Sequence, residues 1–389
     1  MKITLIGCSL TLVCLQALIS CSKDEEPNTV NLAITPSANA DAGSSYTFSN
    51  NVDIHISYSI LPSPSNTGTL RDAIAYLDAN GDGVTDVFMA TGDFQIEGEV
   101  NSILAINDGA ENFTSSTTEF GDNMPPANHA RKSIVSDFNN DGLNDIFVFD
   151  HGFDGDPFPG NNPKLIIQNS VGSFFWSKLL DQTGFHHGGA SADIDNDGDI
   201  DVFVGGFDPF FYINDGSGNF EMVTDRYDGS TSKIFIAELI DVDKDGYVDL
   251  LTGAAEPEDA TSIYWGSSSG AYTSSSRTLI PAFDGYGVVL DFDAEDLDGD
   301  GDRDIVINRT GSGNNFYVGS KIQLLFNDGN RGFTDVTNRI DNPGTSSDNW
   351  FPWVRVQDID DDGDLDIFPD DLDFGFKLLN DGKGNFNRM

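Results

Sequence analysis

Asp193-Ile194-Asp195-Asn196-Asp197-Gly198-Asp199-Ile200-Asp201, running straight into Val202-Phe203-Val204, is the stretch on which the fold turns. Aspartates alternate through its first half, a glycine follows, and a last aspartate opens an apolar run. The pattern returns with starts at Asp78, Asp137, Asp241, Asp296 and Asp358. In chain order the six starts lie 59, 56, 48, 55 and 62 residues apart. Self-similarity at such a period marks an array of small supersecondary units.

Each copy also offers what a hard cation needs: carboxylates at alternate positions and a glycine where the chain turns sharply. The side-chain oxygens come from Asp193, Asp195, Asp197 and Asp201; from Asp241, Asp243, Asp245 and Asp249; from Asp296, Asp298, Asp300 and Asp304; and from Asp358, Asp360, Asp362 and Asp366. The first two loops place Asn at the third position: Asp78, Asn80, Asp82, Asp86 and Asp137, Asn139, Asp141, Asp145. A backbone carbonyl at position seven completes each set, at Val84, Leu143, Asp199, Tyr247, Asp302 and Asp364. Oxygen-only donors suit Ca²⁺, whereas zinc wants Cys or His and Mg²⁺ keeps its waters. Up to six Ca²⁺ are expected.

An EF-hand loop starts alike but closes on Glu at position twelve between two helices. Position twelve here is Met89, Val148, Val204, Thr252, Ile307 and Pro369, and β-type apolar runs follow the ninth residue. These are strand-flanked loops. A second motif follows each by about 20–30 residues: Asn107-Asp108-Gly109, Asn169-Ser170, Asn214-Asp215-Gly216, Gly266, Asn327-Asp328-Gly329 and Asn380-Asp381-Gly382, each with an aromatic residue close behind. Asn-Asp-Gly between short apolar runs is a hairpin turn signal. Each unit reads strand, loop, strand, strand, hairpin, strand. Four short strands per unit, six times over, predict an all-β chain folded as a β-propeller of six blades, with seven as the alternative. The last unit stops just after its hairpin, and residues 52–60 alternate apolar and polar at strand spacing. That stretch, within N-terminal strands over residues 30–60, is expected to complete the last blade and close the ring.

The chain at this point resembles the FG-GAP/VCBS repeat family, the integrin-α-like calcium propellers. The resemblance covers about residues 70–389 and rests on the Asp-x-Asp-x-Asp-Gly-x-x-Asp signature. It implies a calcium-bearing propeller serving adhesion or ligand binding. The literal Phe-Gly and Gly-Ala-Pro tags are mostly absent; Gly253-Ala254-Ala255 comes nearest.

At the N-terminus, Lys2 precedes an uncharged apolar stretch of signal-peptide length that ends Leu18-Ile19-Ser20-Cys21. The ending resembles the bacterial lipobox, which implies removal of residues 1–20 and lipid on Cys21. Cys8 and Cys14 fall in the removed part, so the mature chain has one cysteine and no disulfide. Residues 21–29 read as a lipidated acidic tether, and 30–389 as the propeller. Ser22-Lys23-Asp24-Glu25-Glu26 also resembles the export signal of Bacteroidetes lipoproteins. That implies an outer membrane lipoprotein exposed at the cell surface, touching membrane only through its anchor.

The formal net charge is −44, from 64 acidic and 20 basic residues, which excludes nucleic acid as a partner. The side-chain ligand positions of the six loops hold 22 of the carboxylates. Without metal, each close pair repels by about 1–4 kcal/mol at surface-like dielectric, so the fold should depend on calcium. Gly266-Ser267-Ser268-Ser269-Gly270 matches an esterase pattern but lies in hairpin register with no helix to follow. A different set stands out just before the innermost strands: Arg71, His129, Arg131, His186, His187, Lys233, Tyr286, Trp350, Phe351, Trp353 and Arg355. In a propeller these converge on the channel mouth away from the metal loops. Of them Arg71, His129, Arg131, His186, His187, Tyr286, Trp350 and Trp353 are the candidate ligand-binding residues, since aromatics beside His and Arg suit a sugar ring or an acidic group. The competing reading makes the tryptophans interblade packing. The sequence thus points to a surface-anchored binding or adhesion module for a glycan or protein, with no catalytic residues assigned. The alternatives are a lyase-like polysaccharide enzyme with its site at the same mouth, and a structural envelope component.

Overall fold

The computed structural model describes residues 56–62, 69–93, 97–110, 112–179, 183–229, 233–254, 261–281 and 283–389. The chain divides between Asn31 and Leu32, and all described residues belong to the second unit, Leu32–Met389. The expected signal segment, Cys21, the tether and strand-like residues 30–55 lie outside the described residues.

Six antiparallel sheets of four strands stand in a ring, which makes the chain a six-bladed β-propeller. Their innermost strands are Thr69–Leu77, Ala130–Ser136, Gly189–Ala192, Ile234–Ile240, Val288–Glu295 and Val354–Gln357. The Asp-rich loop leads from each into the second strand: Asp86–Asp93, Asp145–Asp150, Asp201–Val204, Asp249–Ala254, Asp304–Thr310 and Asp366–Pro369. Hairpins then join the third strand to the outermost. The extra pair Val100–Asn101 and Pro126–Ala127 adds a short ribbon beside blade 1. Among the described residues the only helices are single 3₁₀ turns.

The second strands are apolar at consecutive positions because both faces of a blade are covered. In blade 2, Ile146 and Val148 point into the cluster shared with blade 1, whose members include Phe88 and Leu104. Phe147 and Phe149 point the other way, to Val202, Phe210 and Tyr212 of blade 3. Alternate side chains leave opposite faces of a strand, so an unbroken apolar run serves two neighbours at once. Burying each such ring contributes about 1.5–3 kcal/mol.

Blade 6 is complete within the C-terminal unit. Its third and fourth strands, Leu378–Asn380 and Phe386–Arg388, pair across the Asp381-Gly382 hairpin. The fourth strand expected from residues 52–60 is therefore supplied by the last residues of the chain. Of that segment, Ile56 makes one parallel bridge to Asp371, and Tyr58–Ile60 form a 3₁₀ turn. The ring closes through side chains: the Tyr76 hydroxyl donates to Asp370 at 3.1 Å, Tyr58 donates to the same carboxylate, and Arg355 pairs with it. In blade 2 the outer hairpin turns at Val171-Gly172, with Ser173 facing Ser170. Gln168, not Asn169, takes the place that Asn107 and Asn214 hold elsewhere. The serine run at 267–269 forms a hairpin turn, as its register required.

Candidate functional site

The six loops share one hydrogen-bond pattern. The position-six glycine N–H donates to the position-one carboxylate at 2.8–3.0 Å in every copy. That glycine has φ between +82° and +97°, a conformation costly for any side chain. The position-seven N–H donates to the position-five carboxylate at 2.8–3.0 Å.

The ninth residue does more than offer a ligand. Asp304 is buried and accepts two amides, from Leu297 inside the loop at 3.0 Å and from Asn327 on the third strand at 3.0 Å. Asp86, Asp145, Asp201, Asp249 and Asp366 repeat this double acceptance, the loop bond ranging from 2.9 to 3.4 Å. The carboxylate buckles loop to blade. Burial outweighs the pull of these amides and lifts the carboxyl to about 6 in Asp86, about 7 in Asp145, Asp201 and Asp304, and about 8 in Asp249. The other loop aspartates push it in the same direction.

Four loops bring three carboxylates together, with one oxygen of each within 4.8 Å of the others: Asp193, Asp195, Asp197; Asp241, Asp243, Asp249; Asp296, Asp298, Asp300; and Asp358, Asp360, Asp366. In the two Asn-bearing loops, Asn80 and Asn139 donate to Asp82 at 2.9 Å and Asp141 at 3.1 Å. Arg226 reaches Asp195 at 3.0 Å, and Arg331 pairs with Asp243 and Asp245. Among the described residues no ion pair reaches the loops at Asp296 and Asp358. Oxygen-only donors crowded in this way fit a bound Ca²⁺.

The opposite face is built by connections between second and third strands and between successive blades. Antiparallel order puts these at the end away from the Asp loops. They enclose a cavity of about 590 Å³. Two aromatic files line it. In one, Phe207 stacks on Phe185 at 4.8 Å, Phe185 on His151 at 4.2 Å, and His151 meets His129 at 4.1 Å between ring centres. In the other, His187 stacks on Phe235 at 4.1 Å, and Phe235, Phe316, Tyr317 and Trp350 follow edge to face. Arg131 supports the second file: it pairs with Asp72 and donates to the Tyr317 hydroxyl at 3.3 Å. Lys233 lies over Phe207 at 5.3 Å, and Asp154 stands exposed on the wall.

The histidines are held uncharged. Burial pushes His129 down to about 2, with His151 and Arg131 adding to it; burial and then Arg131 push His151 down to about 3. Asp150, beneath them, would be raised by burial. Lys164 at 2.8 Å and the amides of Asn128 and His129 overcome that and hold it at about 2.

The FG-GAP-like repeat model matches residues 78–148, 137–204, 241–307 and 296–368, more than half of the chain. Each match begins on the first aspartate of one loop and ends in the strand after the next. The chain belongs to the FG-GAP-like repeat family. Among solved structures the FG-GAP propeller is similar to the V. cholerae biofilm matrix protein Bap1, at 18% identity and a TM-score of 0.44, over 76% of this chain and 44% of that one. The Dos1 propeller is similar at 12% identity and 0.39, over 76% and 64%. An exo-1,5-α-L-arabinanase from a bovine ruminal metagenomic library follows at 12% identity and 0.34, over 68% and 98%. The chain thus spans under half of the first and under two thirds of the second. No curated protein matches it.

Of the residues singled out before the innermost strands of the FG-GAP propeller, His129, Arg131, His187, Lys233 and Trp350 line the cavity. Arg71 lies in the first strand of blade 1. His186 is buried, edge-on to Phe210, and is not part of the wall. Tyr286 sits apart, against Phe283 and Lys321. Trp353 is core: 4% exposed, it donates its indole N–H to the Asp72 carbonyl. Phe351 fills the cluster between blades 5 and 6. Sequence reading missed His151, Asp154, Phe158, Phe185, Phe207, Phe235, Phe316 and Tyr317. The first three lie in the connection between the second and third strands of blade 2, over residues 151–163.

Proposed function

We propose that this FG-GAP propeller is a calcium-stabilised, surface-anchored binding module that takes a saccharide in its aromatic mouth. One observation carries the reading: a roomy cavity where aromatic faces stand beside Arg131, Lys233 and Asp154. Concave sites lined by aromatics with a few polar groups are the usual form of small-ligand pockets. Flat rings offer stacking surface to a pyranose, and the charged groups can bond its hydroxyls or a carboxylate. Phe158, Phe207 and Phe316 expose 48%, 39% and 42% of their surface at this rim, which favours a partner that covers them.

Calcium would be held by the aspartates and the position-seven carbonyls of the loops. It would neutralise carboxylates that otherwise repel and lock each loop against its neighbour. The blades already meet there: Asn214 donates its side-chain amide to the Phe138 carbonyl of the preceding loop at 2.8 Å, and Asn380 to that of Leu297 at 3.0 Å. Attachment through Cys21 would leave the ring outside the membrane. Among the described residues no helix is long and apolar enough to cross one.

A glycan array probed with calcium-loaded protein tests the reading. Binding to a defined saccharide class, lost in Trp350→Ala combined with Phe235→Ala while the melting curve in calcium holds, supports it. Binding that survives the double variant places the ligand elsewhere. A lyase-like activity is the second reading, favoured by the imidazoles of His129 and His151 standing beside Arg131 in the cavity wall. An unsaturated sugar product, detected by ultraviolet absorbance, would establish it.

A further inference from the structure

His129 is 4% exposed, yet neither of its ring nitrogens has a hydrogen-bond partner among the described residues. A buried imidazole with both nitrogens unmet pays the desolvation cost of those atoms with nothing in return, and such groups call for a ligand. Two further donors stand beside it. One ligand atom each from His129, His151 and Asp154 lies within 4.8 Å of the others. We propose that His129, His151 and Asp154 form a binding site for a divalent transition metal of zinc-like preference, in the wall of the mouth and distinct from the six oxygen loops.

The chemistry of the three residues fits. The Nδ1–H of His151 donates to the Gly152 carbonyl at 2.8 Å, which leaves the Nε2 lone pair for a metal. A ligating histidine tied through its other nitrogen to a carbonyl is the usual arrangement around such ions. The His151 ring is fixed by its stack on Phe185, and the His129 backbone by its N–H, which donates to the Asp150 carboxylate at 2.9 Å. Two nitrogens and a carboxylate select zinc-like ions over calcium, and three protein ligands leave a position open to the cavity. The nearby Arg131 charge is countered by its ion pair with Asp72, and Asp154 adds a negative charge on the open side. The site does not depend on the saccharide reading: it would be filled whether or not the mouth holds a sugar.

The test uses the full chain saturated with calcium, so that the oxygen loops are occupied, and titrates Co²⁺ as a spectroscopic stand-in. One equivalent should bind with visible bands of nitrogen ligation and be displaced by Zn²⁺. His151→Ala should abolish the bands. Asp154→Asn alters only an exposed side chain, so it should leave folding intact and weaken the metal at least 10-fold, the lower end of the loss seen when an outer-shell partner is removed (about 10–100-fold). Melting curves in calcium confirm that each variant is folded. If His151→Ala fails to fold, Asp154→Asn carries the test alone. No Co²⁺ uptake beyond the calcium-saturated loops overturns the proposal. So does uptake with unchanged affinity in Asp154→Asn.

Discussion

Asp304→Ala separates the two tasks of the ninth loop residue. The Asp304 carboxylate is 1% exposed and accepts from Leu297 and Asn327, both at 3.0 Å. Alanine leaves two buried N–H donors unmet, at about 1–3 kcal/mol each, or ~2–6 kcal/mol together. Repulsion from Asp298 and Asp300 would blur the reading at neutral pH. At pH 5.5 it does not, because the carboxyl titrates at about 7 and is already protonated. The assay is therefore urea unfolding in EGTA at pH 5.5. Asp298→Ala is the control: that half-buried side chain accepts one amide, from Asp300 at 3.2 Å, and its loss should stay within about 0.5 kcal/mol. In calcium at neutral pH the control should in turn lose the increment of one bound ion, about 2.7 kcal/mol at 100 times its Kd. If Asp304→Ala is no less stable than Asp298→Ala without metal, the ninth aspartate is only a ligand and the buckle is refuted.

Three further outcomes are expected. Without metal, stability should fall as pH rises from about 4 to about 8. The carboxyls of Asp145, Asp201, Asp249 and Asp304 are raised from 3.8 in the folded chain, so folding takes up protons in that window, at up to ~1.4 kcal/mol per pH unit per group; melts in EGTA across that range check the slope, and saturating calcium should flatten it by keeping the carboxylates ionised. Trp353→Ala should cost about 3–5 kcal/mol in urea unfolding because it empties a core site, whereas the half-buried Trp350 should cost little; equal losses would contradict their placement. Cys21→Ser should move the protein from membranes to the soluble fraction, and protease added to whole cells should digest the wild-type protein; retention on membranes would put the anchor elsewhere.

The loops were legible because their chemistry is local. Nine consecutive residues, from Asp193 to Asp201, carry the carboxylates, the left-handed glycine and the start of the next strand, so no distant contact is needed to recognise them. Their six-fold return then dictates blades, and antiparallel order dictates that residues before the innermost strands share one mouth. What the sequence could not decide is which side chain of a register reaches that mouth. Trp350 and Trp353 are three residues apart, yet one lines the cavity and the other fills the core beneath it, because Trp353 abuts the innermost strand of blade 6, which begins at Val354, and is tied by its indole N–H to the Asp72 carbonyl of blade 1. His151, Phe185, Phe207 and Tyr317 lie in connections with no shared period, and only closure of the ring brings their rings into stacking distance. The last blade's fourth strand, Phe386–Arg388, pairs with its own third strand across the Asp381-Gly382 hairpin. A repeat is written in neighbouring residues and survives in a one-dimensional reading; a cavity is written in the distances between blades, and these exist only once the ring has formed.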